Sequence, residues 1–127
     1  MDEKSPRGSI TVDAQSSFTF VRLAGEVDVT LRPQASHALA VCVTRGVPVV
    51  VESQRATFAD SYTLAFLLQL SRACGEDGVR VALPDPSPAL AGLLQMTGTD
   101  TLFDLGAPAQ APDEATSSRT TGATSAP

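Results

Sequence analysis

Tryptophan is absent from this chain of 127 residues, and tyrosine, histidine and lysine occur once each, at Tyr62, His37 and Lys4. Cysteine occurs twice, at Cys42 and Cys74. Each scarcity removes a class of function. Two thiols and one imidazole are too few for a zinc site. The arginines Arg22, Arg32, Arg45, Arg55, Arg72 and Arg80 stand singly along a chain of formal net charge −5, so no cationic patch for a phosphate backbone gathers. The longest apolar run, LAFLLQL, is far too short to cross a bilayer. The opening MDEKSPRGSI is polar and acidic, without the apolar core of a secretory signal, and a cytoplasmic protein is expected. The carboxylates are dispersed, with no spacing for an acid–base pair or a metal loop. The glycines form no phosphate loop. His37 has no nucleophile at a recognisable spacing and reads as a surface helix residue. No enzymatic activity, cofactor or metal is expected. In a reducing compartment the cysteines read as buried small hydrophobes, the alternative being a disulfide or redox pair.

What the chain does have is one core's worth of aliphatic residues. It is 43% hydrophobic, and its length suits a single domain. Residues 1–8 read as a flexible leader. SITVDA (9–14) and SFTFVRLAG (17–25) alternate as strands; in the second, Phe18, Phe20 and Arg22 point one way and Thr19, Val21 and Leu23 the other. After the corner GEVDVT, a helix is predicted over 31–45. Thr30 is its expected N-cap, Pro33 lies in its first turn, and Ala35, Ala38, Leu39, Cys42 and Val43 form its buried face. Gly46 ends it. VPVVVE (47–52) is a β-branched buried strand. A second helix, apolar around most of its circumference, covers 62–74 and ends at Gly75 and Gly78. VRVALP (79–84) is a strand. A third helix covers 86–98, with Pro86 or Pro88 at its start and Leu90, Leu93, Leu94 and Thr97 on one face. TLFDL (101–105) is a short strand or an edge segment. From 106 to 127 no large apolar residue occurs, so this tail cannot offset its ordering entropy and is expected to be disordered. The order β-β-α-β-α-β-α predicts an α/β fold: a mixed sheet of four to five strands with helices packed against it.

Between the third strand and the second helix lies TFADSYTLAF (57–66). Asp60 or Ser61 suits the N-cap, and taken alone the pair needs no further role. Tyr62 fits either a packing residue of the first turn or an interface anchor. Glu26 and Asp28 alternate at a strand end, either solvated or offering negative charge to a basic partner.

Three stretches together are similar to one known family. VRLAGEVDVT resembles the L-x-G-E-L-D strand end of STAS domains, the anti-sigma factor antagonist fold. VVVESQRATFADSYTL resembles their V-L-D-L-S-x-V-x-F-I-D-S-S-G-L motif, and PSPALAGLLQMTGTDTLFDL their closing S-P-x-V-x-x-L-L-x-x-T-G-L-x-x-L-F. The resemblance spans residues 9–105. It implies a STAS fold and a binding role: docking on an anti-sigma factor of the GHKL ATPase type, which phosphorylates the second Ser of D-S-S-G-L to end the complex. Carried across, Asp60 and Ser61 match the Asp and first Ser, Tyr62 the phosphoacceptor, Thr63 the Gly and Leu64 the Leu, while Glu52 replaces the usual Asp. The implied partner surface comprises Glu26, Asp28, Asp60, Ser61, Tyr62 and Thr63, and Ser61 or Thr63 is the remaining candidate for phosphorylation. The other function the resemblance allows is an accessory or scaffold STAS subunit of a transporter ATPase or sensor complex.

The composition of the tail yields a first prediction. Removing residues 108–127 is expected to leave the thermal unfolding midpoint within about a degree or two of the full chain's, because no core contact is lost. A fall of around ten degrees in a melting comparison would refute it.

Overall fold

The computed structural model describes residues 7–105. Along the chain lie β1 (Gly8–Ala14), β2 (Thr19–Val27), a 3-10 turn (Val29–Leu31), α1 (Arg32–Arg45), β3 (Val49–Ala59), α2 (Ser61–Gly75), β4 (Val81–Ala82), α3 (Pro88–Thr97) and a second 3-10 turn (Asp100–Leu102). The sheet order is β1-β2-β3-β4. β1 and β2 are antiparallel, while β3 runs parallel to both β2 and β4. The mixed α/β architecture expected from the element order is therefore the one that forms.

Strand alternation fixes the layers. Ile10, Val21, Leu23, Val27, Val49 and Val51 point to one face and are buried. There they meet Ala35, Ala38 and Cys42 of α1 and Phe66, Leu67, Leu70 and Cys74 of α2. Leu90 and Leu94 of α3 and Phe103 complete the same core. On the opposite face Thr11, Arg22 and, past the first bulge, Arg55 are exposed. α1 and α2 pack on each other, and α3 lies along β3.

Several sequence expectations change in detail. β3 runs to Ala59 rather than stopping at 52. Nine residues of β2, Thr19 to Val27, pair with eleven of β3, Val49 to Ala59. The surplus is absorbed at two bulges, opposite Arg22/Ala24 and Gly25/Glu26. Each bulge adds a residue and breaks the alternation on which strand recognition depends. Thr30 is not the cap of α1. Instead Asp28 Oδ1 accepts the Thr30 N–H at 3.0 Å and caps the 3-10 turn, and α1 begins after Leu31 without a side-chain cap. Val43 and Thr97 are exposed, and Leu39 is only partly buried. Segment 101–105 is an edge segment: a 3-10 turn, then a parallel bridge from Asp104 to Ala82. Gly8, assigned to the leader, begins β1. Residues 1–6 of the leader and the whole tail from 106 lie outside the described residues.

Gly25 occupies φ +70°, and a Cβ there would stand 2.4 Å from the Arg7 carbonyl oxygen. Only glycine lets the Arg7–Gly8 backbone approach this closely while the second bulge forms. The thiols of Cys42 and Cys74 are free and buried. Burial, with a smaller effect of Cys74 nearby, pushes the Cys42 thiol up to about 12, and burial raises Cys74 as well. Such thiols remain protonated at neutral pH and are poor nucleophiles.

Two stability predictions follow from this packing. Leu67 is fully buried, so Leu67→Ala is expected to cost roughly 2–5 kcal/mol in urea melts, and Leu39→Ala distinctly less. Ser53 is fully buried on β3, and its hydroxyl has no hydrogen-bond partner among the described residues. Removing an unpaired hydroxyl relieves a desolvation penalty, so Ser53→Ala is expected to be neutral to about 1 kcal/mol stabilising. A loss of 1 kcal/mol or so in the same melts would contradict that sign.

Candidate functional site

Because β2 and β3 are parallel, their carboxyl ends finish side by side, with Val27 paired to Ala59. Each strand then turns directly into a helical segment. The backbone N–H groups of those first turns lack intrahelical acceptors and carry the positive end of the helix dipole. In open α/β sheets this end of the strands is where ligands and partners meet the fold.

The turn into α2 is closed by a reciprocal box. Asp60 has extended backbone, φ −133° and ψ −167°, and its carboxylate accepts the N–H groups of Tyr62 at 3.0 Å and Thr63 at 3.3 Å. Thr63 Oγ1 in return accepts the Asp60 N–H at 3.1 Å. The same hydroxyl donates to the Val27 carbonyl oxygen at 2.7 Å, linking the end of β2 to the start of α2. Such a cap contributes on the order of 1 kcal/mol. Of the two residues suited to the N-cap by sequence, the structure selects Asp60.

All six predicted partner residues stand at this end of the sheet, in different conditions. Ser61 is exposed, and its hydroxyl makes no hydrogen bond with the described residues. Tyr62 is half-buried: its ring packs on the rim of the core, lines a small cleft with Ala35, Leu39 and Phe66, and has the Arg32 guanidinium 6.0 Å from its centroid. Thr63 is fully buried, its hydroxyl spent on the cap. Glu26 is partly exposed and 3.8 Å from Arg7. Asp28 is committed to the 3-10 turn, its carboxylate accepting the N–H and the hydroxyl of Thr30. His37 is an exposed residue of α1.

Sequence reasoning missed two members of this surface. Phe58 is 47% exposed and Val29 51% exposed, although both are large and apolar. Phe58 pairs with Glu26 across the second bulge, and Val29 follows Val27 by two residues. No periodicity marks Phe58, because the bulge at Thr57 reverses its side. The Thr63–Val27 link was also missed; its one signal is a hydroxyl residue where the family motif carries glycine.

A second concavity of about 540 Å³ lies on the other face of the sheet, lined by Ser9, Thr11, Phe20, Arg22, Glu52 and Arg55. Arg22 stacks on Phe20, 4.3 Å from its centroid, and pairs with Asp13 at 3.6 Å. Among the described residues no group of three or more His, Cys, Asp or Glu side chains could hold a metal, and no helix is long and apolar enough to cross a membrane.

Comparison with solved structures finds the same fold. SpoIIAA of Bacillus, a cell fate determinant solved in its phosphorylated form, superimposes with a TM-score of 0.62 at 21% identity, covering 77% of this chain and 90% of that one. An anti-sigma factor antagonist from Mycobacterium paratuberculosis gives 0.68 at 22% identity, over 82% of this chain and 87% of its own. A STAS-domain anti-sigma factor antagonist protein from Planctomyces limnophilus gives 0.67 at 20% identity, over 78% and 90%. No curated protein matches the sequence. The family model described as Mlab, STAS domain, matches residues 10–105. With that match over three-quarters of its length and the parallel-strand corner in place, the chain belongs to the STAS domain family.

Proposed function

We propose that the protein is an anti-sigma factor antagonist: a non-enzymatic, cytoplasmic binding module that docks the carboxyl ends of β2 and β3 on an anti-sigma factor of the GHKL ATPase type. The observation that carries this reading is the corner itself. Asp60 and Thr63 lock the backbone, while Ser61 and part of Tyr62 face outward. Family membership and the antagonists among the structural neighbours support it. Glu26 and Asp28 add negative charge for a basic partner surface.

Chemistry separates docking from modification. A kinase site shaped for a seryl oxygen requires in-line alignment with the transferred phosphoryl group. The Tyr62 hydroxyl lies several ångströms farther out on its ring, so position 62 keeps a contact surface and loses the ordinary acceptor. Of the neighbouring hydroxyls, Thr63 is buried and hydrogen-bonded and Ser61 is free. Ser61 is thus the better candidate for phosphorylation. Phosphate at the first residue of α2 would be favoured by the positive end of the helix dipole, while its charge would oppose the docked partner.

The expected outcome is a complex that forms without phosphate on Tyr62. Incubation with the GHKL-type partner and Mg-ATP, followed by intact-mass and peptide analysis, tests it. Tyr62→Ser is expected to restore an acceptor and make binding ATP-sensitive, and Tyr62→Ala to weaken binding by about 1–2 kcal/mol. Phosphate on Tyr62 itself would overturn the separation. Phosphate on Ser61 would place the switch one residue earlier. Failure to bind any such ATPase would leave the accessory-subunit role.

A further inference from the structure

We infer that Phe58, together with Val29, forms the apolar anchor of this docking surface, and that the partner meets it with an apolar socket rimmed by basic side chains; the inference rests on the proposed antagonist role and specifies where its binding energy lies.

Four observations converge. The second bulge gives β3 one residue more than β2 between the Gly25–Ala56 and Glu26–Phe58 pairs. That extra residue, Thr57, turns Phe58 onto the same side as Glu26 and away from the core, where an unbulged strand would have buried it. Bulges recur beside functional sites because they re-aim a side chain in this way. Next, Phe58 and Val29 flank the last paired rung, Val27 with Ala59, and Phe58 precedes the Asp60 cap by two residues. Both exposed apolar residues therefore lie within two positions of that rung, next to the corner. Moreover, Tyr62 is already half-buried against Leu39 and Phe66, so docking has less of it left to bury than of Phe58. Aromatic residues with area still to bury are the usual anchors of an interface.

The fourth observation fixes the chemistry of the partner. Glu26, Asp28 and Asp60 surround the lip. Arg7 offsets Glu26, while Asp28 and Asp60 accept their hydrogen bonds from uncharged backbone and hydroxyl donors. With Arg32 beside Tyr62 as a second cation, three carboxylates stand against two guanidiniums, and this remaining excess of negative charge favours a basic partner over an acidic one. It also gives modification at Ser61 a physical route. A phosphate there would set up to two further negative charges beside an apolar contact, where desolvation opposes docking.

Titration calorimetry with the purified GHKL-type anti-sigma factor of the same organism tests the anchor. Phe58→Ala is expected to weaken binding at least tenfold, more than Tyr62→Ala does, and Phe58→Leu to recover most of the loss. Met96→Ala, which removes a still more exposed apolar residue from the last turn of α3, is expected to leave affinity unchanged. Thermal midpoints of all variants should stay within a few degrees of wild type. Binding by wild type with unchanged affinity of Phe58→Ala would overturn the anchor and leave the antagonist role standing. Equal losses from Phe58→Ala and Met96→Ala would also overturn it. No binding by wild type would overturn the antagonist role and the anchor with it.

Discussion

The carbonyl oxygen of Val27 is where the two halves of the site are joined. Val27 is the last residue of β2, fully buried, so its carbonyl needs a partner other than water. Thr63 supplies that partner from the first turn of α2, with the hydroxyl hydrogen it has free after accepting the Asp60 N–H. One side chain thereby satisfies a strand end and a helix start at once. The path of the chain out of β2, the direction of α2 and the outward placement of Ser61 all follow from it. A glycine here, as in the family motif, would leave the Val27 carbonyl to another donor. The threonine makes the corner stiffer, at the cost of withdrawing its own hydroxyl from the surface.

The other constraint on the corner is the mismatch in length between β2 and β3. A parallel pair cannot fit eleven residues against nine without bulging. The first bulge falls in mid-strand, where Ser53 ends up buried without a hydrogen bond to any of the described residues. The second falls at the end, where Gly25 permits the close passage of Arg7 and Gly8. An unpaired hydroxyl and a left-handed glycine both oppose stability. What they accompany is a strand that reaches the corner with Phe58 turned outward. A large apolar side chain left exposed at a strand end is what a binding surface retains and a purely structural strand end would lose.

Much of this fold could be read from the residues. The early strand pair, the three helices and the mixed sheet follow from alternation at 9–14 and 17–25, the helical spacing of Ala35, Ala38 and Cys42, and the Pro and Gly punctuation around each helix. The far half of β3 could not, because bulges destroy period-two patterning and SQRATFA then looks like loop. Nor could the 3-10 turn that displaces the start of α1, since Asp28 and Thr30 are both good caps and only tertiary geometry chooses between them. At the site, the position of the helix cap was legible from capping preference as Asp60 or Ser61, and the structure selects Asp60. The burial of Thr63 was not, because its decisive contact, Val27, lies 36 positions away in the chain. Nor was the exposure of Phe58, whose side is set by a bulge that leaves no mark in the sequence.

These features assign different work to four consecutive residues. Asp60 holds the backbone, Ser61 offers the free hydroxyl, Tyr62 bridges core and surface, and Thr63 ties the helix to β2. In a motif with serine and glycine in place of Tyr62 and Thr63, the third position would be acceptor and contact together, and the fourth would contribute no side chain. Here the two substitutions act in the same direction. The ring at 62 adds packing against Leu39 and Phe66, and the hydroxyl at 63 adds a tie to Val27. Both favour a single fixed geometry of the corner, and neither needs a phosphate to reach it. A corner pre-organised in this way loses less entropy on docking. On the proposed reading, the balance of this site moves from a surface released by modification towards one that binds through shape, with the exposed Ser61 hydroxyl left outside the cap.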